Sequence, residues 1–297
     1  MDTTVRIGYV KYLNTLPLVE GLAAWKQASL IAAVPSRLID MLLAEPPQID
    51  LGLISVIDSA RAATPVALIP VGMIGSDGPT LTVRLFSRLP FHKITSIHAD
   101  TDSHTSIALV RVLLARLYNI PRGGNIIDYD ARERMPLGSA AVPFAPSPHS
   151  TEAWPDAMLL IGDKVVTDAP PEHLYPHQLD LGEAWRELTG LPFVYATWMC
   201  RAHDASSPHI TAAAHMLERA RLRNRARLDW IVGRHAAERR WNPELAAEYL
   251  GSRLRFDVGE RERAAVELFL RAAAALGLCP DRPPVWAAPA LPTPALV

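Results

Sequence analysis

The chain has 297 residues, of which 49% are hydrophobic and 21% are charged. This composition excludes a disordered chain, a disulfide-rich scaffold and a fibrous repeat, and the length suffices for two domains with a core each. Thirty Lys and Arg against 31 Asp and Glu give a formal net charge of -1, so the chain has no overall field that would attract nucleic acid or an anionic membrane.

The amino-terminal part of the chain alternates strand and helix patterns. Strand patterns occupy residues 6–10 (R-I-G-Y-V), 30–34 and 51–54. Helical spacing of apolar residues follows at 16–25 and at 35–44. Pro35 suits a first helical turn, because the N–H that it lacks would have no partner there. Strands that alternate with helices at this spacing predict βαβ units and a mostly parallel sheet.

A second unit of the same kind follows. Its strand patterns occupy residues 81–87, 94–98, 126–129 and 157–161. Residues 106–118 carry apolar side chains on one face and predict a helix. A loop with five prolines, the last of them Pro155, separates the last two strands. The extended stretch 191–200 then leads back to the first unit, so that two crossings, near residues 85 and 195, predict a hinge.

These patterns predict an α/β protein with two lobes and a ligand cleft between them. The first lobe is expected to combine residues 1–86 with 199–280, and the second to comprise residues 87–198. The pattern is helical from residue 208 to 278, and alternating arginines from Arg219 to Arg227 spread around their helix, which favours a solvated surface with local carboxylate partners over a nucleic-acid site. The proline-rich tail, residues 281–297, is expected to be disordered.

The sequence contains no motif for a cofactor or a metal. It lacks a dinucleotide-binding glycine motif, a Walker loop, a zinc-protease motif and a nucleophile elbow. His173 and His177 are four residues apart but flank Pro176 outside any helical pattern, so we interpret them as surface histidines. We therefore expect no metal and no cofactor.

The sequence also bears on location. Cys200 and Cys279 are too few for a disulfide framework, and we expect both thiols to be reduced. The chain begins without a basic and then apolar leader and has no run of eighteen apolar residues. We expect a cytoplasmic protein with neither a membrane nor a nucleic-acid partner. The oligomeric state stays open.

Small polar residues lie where predicted strands end and helices begin. They are Asn14, Ser55, Ser103, Thr105 and Ser106. Each alone is explained as a helix N-cap. Together they are more informative, because the loops at the carboxyl ends of parallel strands meet at one edge of a sheet, where ligands bind. Helix N-termini attract carboxylates and phosphates, so the pattern predicts a cleft for a small dianion.

Two further loops are candidates for ligand contact. The turn at residues 75–80 contains Ser76, Asp77 and Gly78, and the strand at 158–161 is followed by Gly162 and Asp163. A simple tight turn explains either loop equally well. Because loops at strand ends often carry function, we include these five residues among the expected substrate contacts.

Six segments in order resemble one known family, the cofactor-free chorismate dehydratases of the futalosine route to menaquinone. They are residues 6–18 (R-I-G-Y-V-K-Y-L-N-T-L-P-L), 50–56 (D-L-G-L-I-S-V), 76–87 (S-D-G-P-T-L-T-V-R-L-F-S), 102–106 (D-S-H-T-S), 159–163 (L-L-I-G-D) and 180–198 (D-L-G-E-A-W-R-E-L-T-G-L-P-F-V-Y-A-T-W). The resemblance spans about two hundred residues. The region after residue 208 shows little that matches.

The resemblance implies a type II periplasmic-binding-protein fold in a cytosolic enzyme without a cofactor. It also implies a carbon–oxygen lyase of menaquinone biosynthesis that converts chorismate to 3-[(1-carboxyvinyl)oxy]benzoate and water. Asn14 is then the expected catalytic residue, acting by hydrogen bonding. No His or Glu base stands out in the matching segments, so the base is either a protein group or the enolpyruvyl carboxylate of the substrate.

Two alternatives stay open at this point. A non-catalytic cytosolic protein that binds small acids has the same fold, and fold does not determine function. The sister enzyme of the pathway, 1,4-dihydroxy-6-naphthoate synthase, typically opens with a motif that contains proline and cysteine. This chain has the segment Y-L-N-T at residues 12–15 instead, and it has no cysteine before Cys200.

Overall fold

The computed structural model describes residues 4–129 and 155–288, in which two β-sheets are flanked by helices. The sheet order is β11-β4-β10-β3-β1-β2 in the first sheet and β7-β6-β8-β5-β9 in the second. The strands are β1 (Val5–Tyr9), β2 (Ala28–Ala32), β3 (Leu51–Ser55), β4 (Val66–Ser76), β5 (Val83–Ser87), β6 (Ser96–Asp100), β7 (Asn125–Tyr129), β8 (Ala157–Ile161), β9 (His177–Asp180), β10 (Phe193–Arg201) and β11 (Leu254–Arg255). The first lobe below is the first sheet with its loops, and the second lobe is the second sheet with its loops.

Each sheet contains a parallel part that fits the predicted βαβ units. The prediction of a mostly parallel sheet is wrong, because β10 pairs antiparallel with β3 and β4 and β5 pairs antiparallel with β8 and β9. In the first sheet β1 pairs in parallel with β2 and β3, and in the second β6 pairs in parallel with β7 and β8. The strands β3 and β8 are buried along their whole length, as their mainly apolar sequences favour. The carboxyl ends of β1, β3, β6 and β8 lead into the loops that carry most of the predicted polar residues.

Helices cover the faces of the sheets. They are α1 (Leu16–Val19), α2 (Pro35–Leu43), α3 (Asp58–Arg61), α4 (His104–Tyr118), α5 (Lys164–Thr167), α6 (Leu181–Thr189), α7 (Pro208–Arg225), α8 (Leu228–His235), α9 (Pro243–Glu248) and α10 (Glu260–Ala275), with a π-helix at Tyr249–Arg253. The single helix expected at residues 16–25 is wrong. Glu20 leaves the helical conformation and Gly21 has a φ of 83°, so α1 stops after one turn and only a short 3-10 helix follows.

The chain passes between the sheets earlier than the sequence suggested. Strand β4, which the sequence pattern did not predict, runs through the first sheet to Ser76, and β5 already belongs to the second sheet. The return passes through α6, and β10 lies entirely in the first sheet. The crossings are therefore at residues 77–82 and 181–192, not near 85 and 195. The lobe boundaries at residues 86 and 198 stay a prediction.

Asp180 joins the two crossings. Its carboxylate accepts hydrogen bonds from the backbone N–H groups of Thr80 at 2.9 Å and Leu81 at 2.7 Å, in the first crossing. The same carboxylate caps α6 by accepting from Gly182 and Glu183. A buried carboxylate with four donors holds both chain segments in one place.

Residues 281–288, the described part of the tail, are ordered against the first sheet and do not match the predicted disorder. Residues 281–288 run beside β4, where the N–H of Leu68 donates to the carbonyl of Val285 and the N–H of Ala287 donates to the carbonyl of Leu68, both at 2.8 Å. The Trp286 ring lies 4.7 Å from the guanidinium of Arg263. The prediction of disorder is therefore wrong for these residues. Residues 289–297 lie outside the described part of the chain.

Within the described residues, no helix is both long enough and apolar enough to cross a membrane. Cys200 is buried, Cys279 is half-buried, and both are free thiols. The proline-containing loop expected between residues 130 and 154 also lies outside the described residues.

Candidate active site

A cleft lies between the two sheets. Its empty space is about 580 Å³, a volume that includes the open solvent at its mouth. Both lobes contribute to it at the carboxyl ends of their parallel strands, as the sequence predicted. Five of the ten predicted site residues line it, and these are Asn14, Ser55, Ser103, Ser106 and Gly162. Further polar side chains in its wall are Tyr12, Thr80, Thr82, Tyr195 and Tyr249.

Asn14 lies in a tight turn between β1 and α1. The turn is a 3-10 helix, Leu13–Thr15, and the buried hydroxyl of Thr15 fixes it by donating to the carbonyl of Val10 at 2.6 Å. Asn14 caps neither this turn nor α1, since neither helix start has a side-chain cap. Its carboxamide oxygen instead accepts from the Thr15 hydroxyl at 3.4 Å, and Asn14 lines the cleft together with Tyr249. The capping alternative is therefore wrong for Asn14.

Tyr249 brings the carboxyl-terminal helices into the cleft. It is the first residue of the π-helix Tyr249–Arg253, its side chain is fully buried, and its hydroxyl lies 2.6 Å from the hydroxyl of Thr82. Burial raises the pKa of Tyr249 above its ordinary value, and the bond to Thr82 partly opposes this. The phenol is therefore a neutral hydrogen-bonding group beside Asn14 in the lining, held by Thr82.

A second chain of hydroxyl groups lies behind the first. The Thr80 hydroxyl is 2.8 Å from the hydroxyl of Ser76 and 2.6 Å from that of Tyr195, and all three residues are buried. Desolvation raises the pKa of Tyr195 well above its ordinary value. Ser76 is thus close to the site but bonds to Thr80, whereas Thr80 and Tyr195 line the cleft.

The amino terminus of α4 forms the opposite wall. Ser103 is the N-cap of this 15-residue helix, and its hydroxyl accepts from the Ser106 N–H at 3.3 Å and lies 3.0 Å from the Ser106 hydroxyl. Both side chains line the cleft. A helix start with two hydroxyl groups suits a carboxylate, because free N–H groups and the helix dipole favour negative charge there.

Thr105 has a different role from its two neighbours. It is buried completely, does not line the cleft, and its hydroxyl accepts a hydrogen bond from the N–H of Ile57 at 3.3 Å. This contact joins the second lobe to the loop after β3. The preceding residue, His104, contacts Asp58 at the start of α3 with its Nδ1 at 2.9 Å. Thr105 therefore joins the lobes and does not meet a ligand in this arrangement.

Two predicted contacts lie away from the cleft wall. The Asp77 carboxylate is held by Arg186 at 2.8 Å and by Arg261 at 2.9 Å, so its charge is already compensated. Gly78, with a φ of 129°, has open space where a Cβ would stand and does not line the cleft. The positions of Asp77 and Gly78 do not support the predicted substrate contacts.

Asp163 binds the loop of the first lobe. Its carboxylate accepts the N–H of Leu13 at 3.3 Å, immediately before Asn14. Burial raises the pKa of Asp163 to about 6, and the N–H of Leu13 opposes that shift. Gly162 is next to it with a φ of 71°, and a Cβ there would stand 3.0 Å from the Tyr12 ring. The loop 162–163 is therefore shaped to receive the loop of Asn14.

Tyr12 makes the second contact between these loops. Its hydroxyl donates to Asp102 at 2.8 Å, and Asp102 also lies 3.4 Å from the ammonium of Lys164. Lys164 pairs as well with Asp100, whose pKa is raised by burial and by the neighbouring Asp102. These contacts form a charged network whose members do not line the cleft. The Tyr12 side chain lines the cleft itself.

The chemistry available in the cleft is that of neutral donors and acceptors. Of the described residues that line it, none has a charged side chain. Hydroxyl groups, the Asn14 carboxamide and the start of α4 are suited to orient an anion and to stabilise a developing negative charge, but they are weak bases near neutral pH. A ligand that reacts here has to bring a base of its own or use water.

Five polar residues of the cleft lining were not predicted from the sequence. The segments that carried the family resemblance contain Thr80, Thr82 and Tyr195, and Tyr12 is two residues before Asn14. These four residues could therefore have been predicted. Tyr249 had no comparable signal, because it lies in the carboxyl-terminal helices, where little matched. Only packing brings it to the cleft.

Comparison with known proteins supports the family resemblance. The family model described as menaquinone biosynthesis matches residues 5–275. A curated relative from Thermus thermophilus, named chorismate dehydratase, is 28% identical over 287 residues, which is 92% of this chain and 95% of the relative.

Solved structures support the fold. A Candida albicans protein, described as having the generic periplasmic-binding-protein fold, matches with a TM-score of 0.65 at 10% identity and covers 94% of this chain and 92% of its own. The alkanesulfonate-binding protein SsuA from Xanthomonas axonopodis pv. citri matches with a TM-score of 0.59 at 17% identity over 97% of each chain. The predicted two-lobe periplasmic-binding-protein-like fold is confirmed.

Proposed function

The chain belongs to the menaquinone biosynthesis family, and we propose that it is a chorismate dehydratase, a carbon–oxygen lyase that makes 3-[(1-carboxyvinyl)oxy]benzoate and water. The observation that carries the proposal is the cleft itself. It combines the start of α4 with its hydroxyl groups, which suit an anion, with the side chains of Asn14 and Tyr249 in the same lining. The curated relative named chorismate dehydratase supports the same substrate.

Binding of chorismate requires two carboxylates to be held. We propose that the start of α4, with Ser103 and Ser106, receives one of them, since N–H groups and hydroxyls replace the water that the carboxylate loses. Ser55 and Gly162 are proposed contacts for the rest of the molecule because both line the same cleft. The apolar lining residues, such as Val10, Leu53 and Ile74, suit the ring.

The proposed reaction is an elimination. A proton leaves the ring carbon beside the hydroxyl-bearing carbon, the electron pair of that C–H bond enters the ring, and the C–O bond of the ring hydroxyl breaks. The departing hydroxide and the proton together make water, and the ring becomes aromatic. Aromatisation supplies the driving force, so the protein mainly has to orient the substrate and assist the two departures.

The base in this proposal is the enolpyruvyl carboxylate of the substrate. The described lining offers hydroxyls and a carboxamide but no carboxylate or imidazole. Asp163, with a pKa of about 6, is nearby but is engaged with the N–H of Leu13 and does not line the cleft. Asn14 is proposed to donate a hydrogen bond to the leaving hydroxyl, or to hold the substrate, without titrating.

The cellular setting is part of the proposal. Placement in the futalosine route and in the cytoplasm rests on the six matching sequence segments. A sister naphthoate synthase is less consistent with residues 12–15, which read Y-L-N-T.

Incubation of the purified protein with chorismate tests the function directly. We expect mass spectrometry to show a product lighter by one water, with the ultraviolet spectrum of a substituted benzoate, in protein treated with chelator and given no nucleotide. A non-catalytic binding protein would bind chorismate and return it unchanged. The Asn14→Ala variant serves as the matched control, because it should bind chorismate and yield far less product.

A further inference from the structure

A second cavity lies in the first lobe, beside the carboxyl-terminal helices. Its empty space is about 680 Å³, against about 580 Å³ for the cleft on the same measure. None of the residues that line it lines the cleft. It is formed by the start of α1, by α7 and α8, and by the segment from the π-helix through β11.

One wall of this cavity carries an excess of positive charge. Arg221, Arg225 and Arg255 line it together with a single carboxylate, Asp257. Arg221 is buried and already paired with Asp257 and with Glu218, which lies outside the lining. The three arginines and the two carboxylates, Asp257 and Glu218, together have a net charge of +1.

Arg255 is the cation without a carboxylate. Its guanidinium donates to the backbone carbonyls of Ser252 at 3.0 Å and Leu254 at 3.3 Å. Within the described chain no carboxylate lies within ion-pair distance of Arg255. Arg225 lies 3.5 Å from Asp257, a long ion-pair distance, and shares that carboxylate with Arg221. Arg255 and Arg225 are therefore the guanidinium groups available to an anion, and a guanidinium binds a carboxylate through two parallel hydrogen bonds.

The other walls are apolar. They are formed by Pro17, Leu228, Leu250 and Phe256. A bare inorganic anion would leave this surface in contact with water, whereas a ligand with a hydrocarbon or aromatic body would bury it, at about 25 cal/mol for each Å². The lining therefore matches a molecule with one anionic end and one apolar end.

Two lining residues of the cavity are close in sequence to residues of the cleft. Leu250 directly follows Tyr249, whose hydroxyl lies in the cleft wall, and Pro17 is three residues after Asn14. The π-helix contributes Tyr249 to the cleft and Leu250 and Gly251 to the cavity, and this geometry occurs frequently at functional sites. A ligand here would contact the two segments that carry Asn14 and Tyr249.

We propose that this cavity is a second binding site, separate from the cleft, for a small organic carboxylate with an apolar body. The proposal stands independently of the dehydratase function, because it concerns binding alone. Gly251 offers a direct test. It lines the cavity, its φ is not in the left-handed region, and a Cβ there would meet no heavy atom within 4 Å, so Gly251→Leu adds a bulky side chain to the lining without a clash of its Cβ.

The experiment is calorimetric titration with 4-phenylbutyrate, followed by inorganic phosphate. We expect Gly251→Leu and Arg255→Met each to weaken 4-phenylbutyrate binding by about tenfold or more. Gly233→Leu is the matched control, since Gly233 on α8 is equally open and lies outside both cavities. It should change the affinity by less than about twofold. Phosphate should bind at least about tenfold more weakly than 4-phenylbutyrate.

Two results would overturn the proposal. Equal affinity in the wild type and in both folded variants would place the probe elsewhere, because neither Gly251 nor Arg255 lines the cleft. Phosphate binding as tightly as 4-phenylbutyrate would remove the role of the apolar walls. Neither measurement needs turnover, so a failure of the dehydratase assay and a failure of this proposal are separate outcomes.

Discussion

The hydroxyl of Tyr12 in the first lobe donates a hydrogen bond across the mouth of the cleft to Asp102 in the second lobe, at 2.8 Å. The N–H of the next residue, Leu13, donates to Asp163 of the second lobe. The two contacts hold the turn that carries Asn14 against the opposite lobe. The placement of the proposed catalytic carboxamide therefore depends on contacts between the two lobes.

The first prediction uses Gly162 to disturb this contact. In Gly162→Ala the new Cβ would stand 3.0 to 3.1 Å from three atoms of the Tyr12 ring, so we expect the ring to move and the Michaelis constant for chorismate to rise about tenfold. Gly277→Ala is the control, because its φ of 69° matches the 71° of Gly162 but no atom lies nearby. Both variants bear similar backbone strain, of roughly 1 kcal/mol or more. Equal Michaelis constants in the two variants would contradict the prediction.

The second prediction is that Asn14 limits the chemical step. Asn14→Ala should lower turnover by roughly a hundredfold or more, as loss of a preorganised donor does, and should change the Michaelis constant little. Asn14→Ser should not rescue turnover, since Asn14 caps no helix. Steady-state kinetics and a melting curve of each variant provide the measurement. Near-normal turnover of folded Asn14→Ser protein would contradict the catalytic proposal.

The third prediction concerns Tyr249. Tyr249→Phe keeps the buried ring but removes from the cleft lining the hydroxyl that contacts Thr82, so we expect turnover to fall about tenfold. Tyr175→Phe is matched to it, because Tyr175 is also buried and its hydroxyl donates to the carbonyl of Pro155 outside the cleft. That variant should lose stability and keep its turnover. If both variants keep full turnover, the Tyr249 hydroxyl does not support the reaction.

The fourth prediction separates two neighbouring hydroxyl groups of α4. Ser106→Ala leaves the Ser103 cap in place but removes a hydroxyl from the cleft, so the Michaelis constant should rise about tenfold. Thr105→Val leaves the buried N–H of Ile57 without its acceptor, which should cost about 1–3 kcal/mol of stability. Kinetics and denaturant unfolding of both variants test the separation. A reversed pattern would move the anion contact from Ser106 to Thr105.

The fifth prediction follows from the pKa of Asp163, which burial raises to about 6 from an ordinary 3.8. Between these two values the folded state binds more protons than the unfolded state, so this carboxyl stabilises the fold at low pH and loses that contribution as the pH rises through 6. The amide of Asp163→Asn still accepts the N–H of Leu13 but does not titrate. The variant should therefore gain stability relative to the wild type between pH 4.5 and pH 7.5, on the order of 2 kcal/mol. A difference that stays constant with pH in urea unfolding would contradict this.

The sequence predicted the parts of the fold that depend on local pattern. Helix α2 begins at Pro35 as expected, and α4 covers the predicted residues with Ser103 as its cap. The grouping of Asn14, Ser55 and Ser103 in one cleft followed from the rule that parallel strands carry ligands at their carboxyl ends.

What the sequence could not supply depends on contacts between distant residues. Strand β4 contains Pro70 and Gly72, which interrupt a strand pattern, and it is formed by pairing with β10 rather than by local preference. Asp77 was predicted to contact the substrate, but its carboxylate is paired with Arg186 and Arg261. The position of Tyr249 follows from packing of the π-helix, for which no local rule exists.

The tail segment beside Leu68 has a consequence for solubility. Strand β4 pairs with β10 along one side, while on the other β11 covers only Gly75 and Ser76. On that open side, the N–H of Leu68 donates to the carbonyl of Val285 and the carbonyl of Leu68 accepts from the N–H of Ala287. An uncovered strand edge with this apolar sequence is a template on which a second molecule can add a strand. The chain thus supplies its own edge protection, and removal of the last seventeen residues, 281–297, would leave a folded enzyme prone to aggregate.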